Sequence, residues 1–190
     1  TETARCLAFL VHAAINRSQE ESLSARDFLL SSCTAYIARL DARMAKAGED
    51  EALLELRALL SSKKEGETER CWNWQEPSLN LLATFRARGE KYNGHPVSRC
   101  YAGSYCMDGL AMALHAVATT TSFHRCIERA VNFLGDADTV GAIAGQIAGA
   151  FYGRSAIDER YMAALQQWDR GEIACRAALC FMMGRALLKE

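Results

Sequence analysis

The sequence predicts an all-α fold, a compact multi-helix bundle, on three observations. Proline occurs only at Pro77 and Pro96, so nearly every residue keeps the backbone N–H that a helix needs. Apolar residues recur at three- and four-residue spacing in one segment after another, as a helix with one buried face requires. Nowhere does the alternation of a half-buried strand persist. A chain of 190 residues, half of them hydrophobic, is long enough to bury a core as a single all-α domain over 1–190.

The first helix is expected over Thr3 to Ile15, where Leu7, Leu10, Val11, Ala14 and Ile15 share a face. A second runs from Leu23 to Met44 with Phe28, Leu29, Tyr36, Ile37 and Leu40 inward, and Gly48 marks its stop. A short helix from Glu51 to Leu60 leads into SSKKEGETER, residues 61–70, a charge-rich loop expected to be solvated and mobile. CWNWQEP (71–77) opens a second block, with a helix from Ser78 to Arg88 starting just after Pro77. YNGHPV (92–97) is a turn, because Asn-Gly and His-Pro both interrupt regular structure. Further helices are expected over Asp108 to Ala118, Ser122 to Phe133, Thr139 to Phe151, Asp158 to Trp168 and Glu172 to Leu188.

Composition narrows the function classes. A formal net charge of −1 supplies no field to draw in nucleic acid or an anionic membrane surface. No apolar run approaches the roughly 20 residues of a membrane span. The opening TETARCLAFLVHAAINRSQ has neither a basic n-region nor a cleavage site. The eight cysteines fall mostly in apolar helical patterns, with no CxxC or other zinc-type spacing. They are expected to be reduced, mostly buried small hydrophobes in a cytoplasmic protein.

The distinctive stretch is NFLGDADTVGAIAGQIAGAFYG, residues 132–153. Gly141, Gly145 and Gly149 recur every fourth residue and so stack on one helix face, at a cost of roughly 0.5–1 kcal/mol each relative to alanine. Close packing of another helix against that stripe accounts for them. It does not account for the acids. One aspartate before a helix is an ordinary N-cap, a role open to Asp138 or to Thr139; Asp136 needs a second reason. Two carboxylates and a hydroxyl beside a buried apolar helix would suffer repulsion and desolvation unless a cation sits between them. An all-oxygen set suits Mg²⁺, Mn²⁺ or Ca²⁺. The alternative is one N-cap plus one solvated acid, and spacing alone leaves both readings open.

GSYCMDGLAMALHA at 103–116, the Ser122-Phe123 pair, AVNFLGDADTVGAIAGQIAGAFYG at 130–153 and the AIDER that follows together resemble the C-terminal part of the ADP-ribosylglycohydrolase family. The resemblance implies an all-α fold and a two-metal site for Mg²⁺ or Mn²⁺. It also implies hydrolysis of an N- or O-glycosidic bond between ADP-ribose and an acceptor, in an ADP-ribosylated protein or a small ADP-ribose derivative. Carried over position by position, Asp136, Asp138 and Thr139 resemble the family's C-terminal metal ligands. The cations would orient ribose hydroxyls, stabilise developing charge and polarise a water for attack at the anomeric carbon. Gly103, Ser104 and Tyr105 resemble the wall of the substrate cleft. There a glycine admits close backbone approach, and a helix start offers N–H groups to a phosphate. Tyr105 either stacks on a base or ribose or holds a turn.

The resemblance has limits. The family's N-terminal Thr-Asp-Asp ligand cluster and its early GDALG-like segment have no counterpart in these residues, and Leu134 stands where many relatives have a second glycine. The expectation is therefore the C-terminal half to two-thirds of such a fold, with the general base outside this chain and half of the two-metal site supplied by it. A complementary chain or N-terminal segment would be its partner. The alternative is a non-catalytic scaffold or interaction module of the same descent. Asp108 is expected to cap its helix rather than bind a ligand, Trp72 and Trp74 to anchor packing, and His12, His95, His115 and His124 to be core or surface residues without a catalytic role.

Overall fold

The computed structural model describes residues 1–17, 23–62, 72–87, 91–92, 95–96 and 102–187. The described residues are predominantly helical, as expected. They form α1 (Glu2–Asn16), α2 (Ala25–Ala47), α3 (Glu51–Ser61), α4 (Leu81–Ala87), α5 (Cys106–Ala118), α6 (Phe123–Val131), α7 (Ala137–Tyr152), α8 (Glu159–Asp169) and α9 (Glu172–Leu187). Within the YNGHPV turn, Lys91–Tyr92 and His95–Pro96 make a two-residue antiparallel pair, β1 and β2, with Tyr92 opposite His95. The charge-rich loop expected at 61–70 lies outside the described residues from position 63 onward. No helix among the described residues is long and apolar enough to cross a membrane.

Helix boundaries follow local capping chemistry more closely than apolar spacing. Asp50 caps α3 by accepting the Ala52 N–H at 2.9 Å, and Gly48 ends α2 with φ +89° while donating to Met44 O at 2.9 Å. The helix expected from Ser78 starts at Leu81 because Asn80 Oδ1 accepts the Ala83 N–H at 3.0 Å. The helix expected from Asp108 starts two residues earlier, at Cys106. Asp108 therefore sits inside the first turn and is no cap, which corrects the expectation. The residue is 2% exposed, and its carboxylate accepts the indole N–H of the fully buried Trp72 at 2.9 Å.

The chain divides into two compact units, Thr1–Ala156 and Ile157–Glu190. In the first, α5 is the centre: every residue from Met107 to Ala118 is buried, as an element apolar on all sides must be. Trp74 anchors α3 to it from both directions. Its indole donates to Leu59 O at 3.0 Å, while its own carbonyl lies 3.0 Å from His115 Nδ1. A carbonyl only accepts, so His115 carries its proton on Nδ1. Burial also pulls its pKa below the usual histidine range, making it a neutral core residue.

α7 packs against α1, α5 and α6. Val140, Ala144, Ile147, Ala148 and Phe151 form its buried face. The glycine stripe faces α6, which runs antiparallel to it. A Cβ on Gly141 would stand 3.2 Å from Val131 Cγ1, one on Gly145 3.5 Å from Ile127 Cδ1, and one on Gly149 3.7 Å from Phe123 Cε2. The close approach expected of the whole stripe thus exists only at Gly141; the other two positions meet ordinary van der Waals distances.

In the second unit, Asp158 caps α8 by accepting the Arg160 N–H at 2.8 Å, and Arg170 and Gly171, both at positive φ, turn the chain into α9. Among the described cysteines, Cys6, Cys33 and Cys126 are buried whereas Cys106, Cys175 and Cys180 are exposed, all as free thiols. The expectation of burial therefore holds for half of them. Burial pushes the Cys33 thiol up to about 12 and the Cys126 thiol up to about 11, which removes both as nucleophiles.

Candidate functional site

The two stretches singled out in the sequence meet at one place. The segment 102–105 leads into α5, the segment 134–138 leads into α7, and the two are locked together. The Asp136 N–H donates to Ala102 O at 2.9 Å, and the Ser104 hydroxyl donates to Asp136 Oδ2 at 2.8 Å. Two glycines make the approach possible. Gly135 has φ +69°, and a Cβ there would stand 2.4 Å from Ala102 O. Gly103 has φ +105°, and its Cβ would fall 2.8 Å from Val140 Cγ2 and 3.2 Å from Asp136 Cβ. Both angles belong to the left-handed region that glycine enters without strain. Leu134, in the same turn, has φ +62° without that freedom.

α7 begins at Ala137, so the residue at its N-cap position is Asp136 and not Asp138 or Thr139. Asp138 lies in the first turn, where its carboxylate accepts the Thr139 N–H at 2.9 Å. Exposure overturns one further premise. Asp136 is half-buried, and Asp138 and Thr139 are exposed, so desolvation does not force the pair to share a cation. The Ser104 hydroxyl, followed by Thr139, holds the Asp136 carboxyl below the usual carboxylate range. The free N–H groups at the start of α7 favour negative charge as well.

A cavity of about 230 Å³ opens beside this lock, lined by Gly103, Ser104 and Thr139 together with Thr3, Cys106 and Ile143. Two of the three predicted cleft residues, Gly103 and Ser104, and one of the three predicted metal ligands, Thr139, therefore share one wall, which Tyr105 does not line. The Tyr105 hydroxyl is 3.4 Å from Glu55 Oε2 on α3. Burial and then the Glu55 charge push that phenol up to about 12, so it is neutral and a donor at physiological pH.

The donors suit a hard cation in kind: two carboxylates and a hydroxyl, all oxygen and open to solvent. They are too few to close a shell. Among the described residues no three histidine, cysteine, aspartate or glutamate side chains gather as a metal site.

Sequence reasoning missed Ala102 as the acceptor that fixes Asp136, Glu55 as the partner of Tyr105, and Trp72 as the donor to Asp108. Only the positive-φ glycines carried a local signal of the first. The other two are contacts between residues 50 and 36 positions apart.

The family described as ADP-ribosylglycohydrolase matches residues 1–187. The ADP-ribosylarginine hydrolase Tri1 of Serratia proteamaculans (strain 568) is 46% identical over 66 residues, covering 35% of this chain and 18% of that protein. The ADP-ribosyl-[dinitrogen reductase] glycohydrolase of Rhodospirillum rubrum is 39% identical over 70 residues, 37% of this chain and 24% of that protein. Tri1 of Pseudomonas putida (strain GB-1) is 45% identical over 58 residues, 30% of this chain and 16% of that protein. The matched stretches thus span less than a quarter of each of these relatives. No solved structure matches.

Proposed function

Because the chain belongs to the ADP-ribosylglycohydrolase family, we propose that it takes part in hydrolysing the glycosidic bond between ADP-ribose and an acceptor, with an ADP-ribosylated protein as substrate. One observation carries the proposal: the Ser104 hydroxyl, on the wall of the cavity that Gly103, Ser104 and Thr139 line, donates to Asp136 and so ties the acid loop to that wall. Asp136, Asp138 and Thr139 would hold a Mg²⁺ or Mn²⁺ ion, which when bound supplies a Lewis acid for the ribose hydroxyls and for water. Ser104 keeps the Asp136 carboxylate ionised and fixed in direction. Gly103 admits the close approach of Val140 and Asp136 and lines the cavity. Tyr105, neutral and held by Glu55, offers a ring edge and a hydroxyl to the nucleoside or ribose.

The remaining metal ligands and the general base would come from a complementary segment or chain, and the activity would be cytoplasmic. Supplied with that complement, the chain should release ADP-ribose from an ADP-ribosylated protein in a Mn²⁺- or Mg²⁺-dependent manner, and Asp138→Ala should abolish the release. Measured on this chain alone by electron paramagnetic resonance, Mn²⁺ should bind weakly, and Asp136→Ala and Asp138→Ala should each remove it. Inactivity of the reconstituted protein together with the absence of Mn²⁺ binding would sink the reading. That result would favour the second one, a non-catalytic scaffold of the same family, for which the incomplete ligand set among the described residues speaks.

A further inference from the structure

We infer that the end of the α5–α7 pair remote from the acid loop is a second binding site, built for the phosphate of a small ligand of the nucleoside phosphate class. Two adjoining cavities of about 580 and 640 Å³ open there and share Thr119, Thr120, Thr121 and Arg129. α7 has 16 residues, so at ~1.5 Å per residue its far end, where Phe151 and Tyr152 line the second cavity, lies about 24 Å from Asp136, while the first cavity extends along α6 as far as Phe133. None of the residues of the acid site lines either cavity.

The charge there is local and positive. Arg26, Arg125 and Arg129 line the two cavities against one carboxylate, Glu128, in a chain whose overall charge is −1. Glu128 is already committed to Arg125 at 2.8 Å. Arg129 gives one N–H to Thr119 O at 3.1 Å, where it meets the negative end of α5, and keeps its other donors for the cavity. Arg26 is half-buried in the first turn of α2 and makes no hydrogen bond or ion pair with the described residues. Its neighbour Asp27 forms no ion pair with it: adjacent positions on a helix do not face each other, and that carboxylate accepts the Ser24 hydroxyl at 2.6 Å. A guanidinium partly withdrawn from water without a counter-charge is costly, and an anion in the cavity would offset that cost. Arginine's planar fork matches a phosphate by two parallel hydrogen bonds.

The walls supply the rest of the specificity. Thr120 donates to Ala116 O at 2.7 Å and Thr119 to His115 O, so neither hydroxyl has its proton to give to an anion. Thr121 makes no such bond among the described residues and keeps a hydroxyl donor for the anion. The partly exposed rings of Tyr152 and Phe133 stand at the two cavities, and the Tyr152 hydroxyl is fixed on Thr120 O at 3.3 Å. A flat base beside one of these rings, with its phosphate on Arg26 and Arg129, uses both the apolar and the cationic parts of the groove.

The test is a titration of the 190-residue chain with AMP, followed by backbone amide resonances, with chloride at matched ionic strength as control. AMP should move the signals of Arg26, Thr119, Thr120, Thr121 and Arg129. Arg26→Gln should weaken binding by about tenfold, the loss expected for a hydrogen bond to a charged group. Asp138→Ala should leave the affinity unchanged, so the result does not depend on the acid loop or on the proposed hydrolysis. If Arg26→Gln fails to fold, Thr121→Val takes its place with an expected loss of about threefold. Unmoved groove resonances, an equal response to chloride, or wild-type affinity in the folded variant would overturn the proposal.

Discussion

Where the 102–105 and 134–138 segments meet, glycine is imposed by geometry; along α7 it is only permitted. Gly135 combines a left-handed backbone with a backbone oxygen 2.4 Å from where its Cβ would stand. No side-chain rotation relieves that contact. Gly145 has helical dihedrals and faces the flexible end of Ile127 at 3.5 Å. The same residue type therefore marks a tightly constrained junction in one place and a loosely constrained helix face in the other. What separates them is backbone angle and the nature of the nearest atom, not their repetition in the sequence.

The contrast predicts an order of effects. Gly135→Ala should be the most damaging, at about 3 kcal/mol or more, since strain at φ and a backbone clash add. In a chain of this length that is a fall of roughly 6–12 °C in Tm. Because Asp136 is fixed through the neighbouring peptide, the same variant should weaken Mn²⁺ binding. Gly103→Ala should follow, at about 2 kcal/mol. Its φ of +105° is also hostile to alanine, but the first atom met is Val140 Cγ2 at 2.8 Å, a side-chain methyl that can rotate. Both are measured by urea unfolding. A cost for Gly135→Ala below about 1 kcal/mol, the range of an ordinary surface change, would erase the distinction between junction and stripe.

How much of this was legible in the sequence depends on the range of the interaction. The helices were, because apolar spacing and caps such as Asp50 and Gly48 are local. The acid loop was legible as a helix entry, but Asp-Ala-Asp-Thr offers more than one capping residue within one turn, and only the Asp136–Ala102 hydrogen bond selects among them. The Ser104–Asp136 contact joins residues 32 positions apart. The two motifs could be recognised separately without their meeting being readable. Exposure was the least legible property. The apolar body of α7 implies desolvated acids, yet it leaves Asp136 only half-buried and Asp138 exposed at its end. Asp108 failed in the opposite sense. An acid near a helix start fits a cap by sequence, while its partner, Trp72, lies 36 residues away.

The smaller predictions sharpen the comparison from the stabilising side. Leu134 stands at φ +62° and is 58% exposed, so it bears left-handed strain with little burial to lose. Leu134→Gly should gain about 0.5–1 kcal/mol, the relief of strain of roughly 1–2 kcal/mol less the greater freedom of glycine in the unfolded chain.

Gly145→Ala should gain about 0.5 kcal/mol, near the lower end of the helix-interior penalty it removes, because its new methyl meets Ile127 at ordinary contact distance. Gly141→Ala should gain less or nothing, since Val131 Cγ1 at 3.2 Å must give way first. The pair is compared by chemical denaturation under identical conditions. If Gly145→Ala destabilised the protein by as much as Gly135→Ala, α6 would have to lie closer to α7 than these distances allow, and the stripe would be as tightly imposed as the junction.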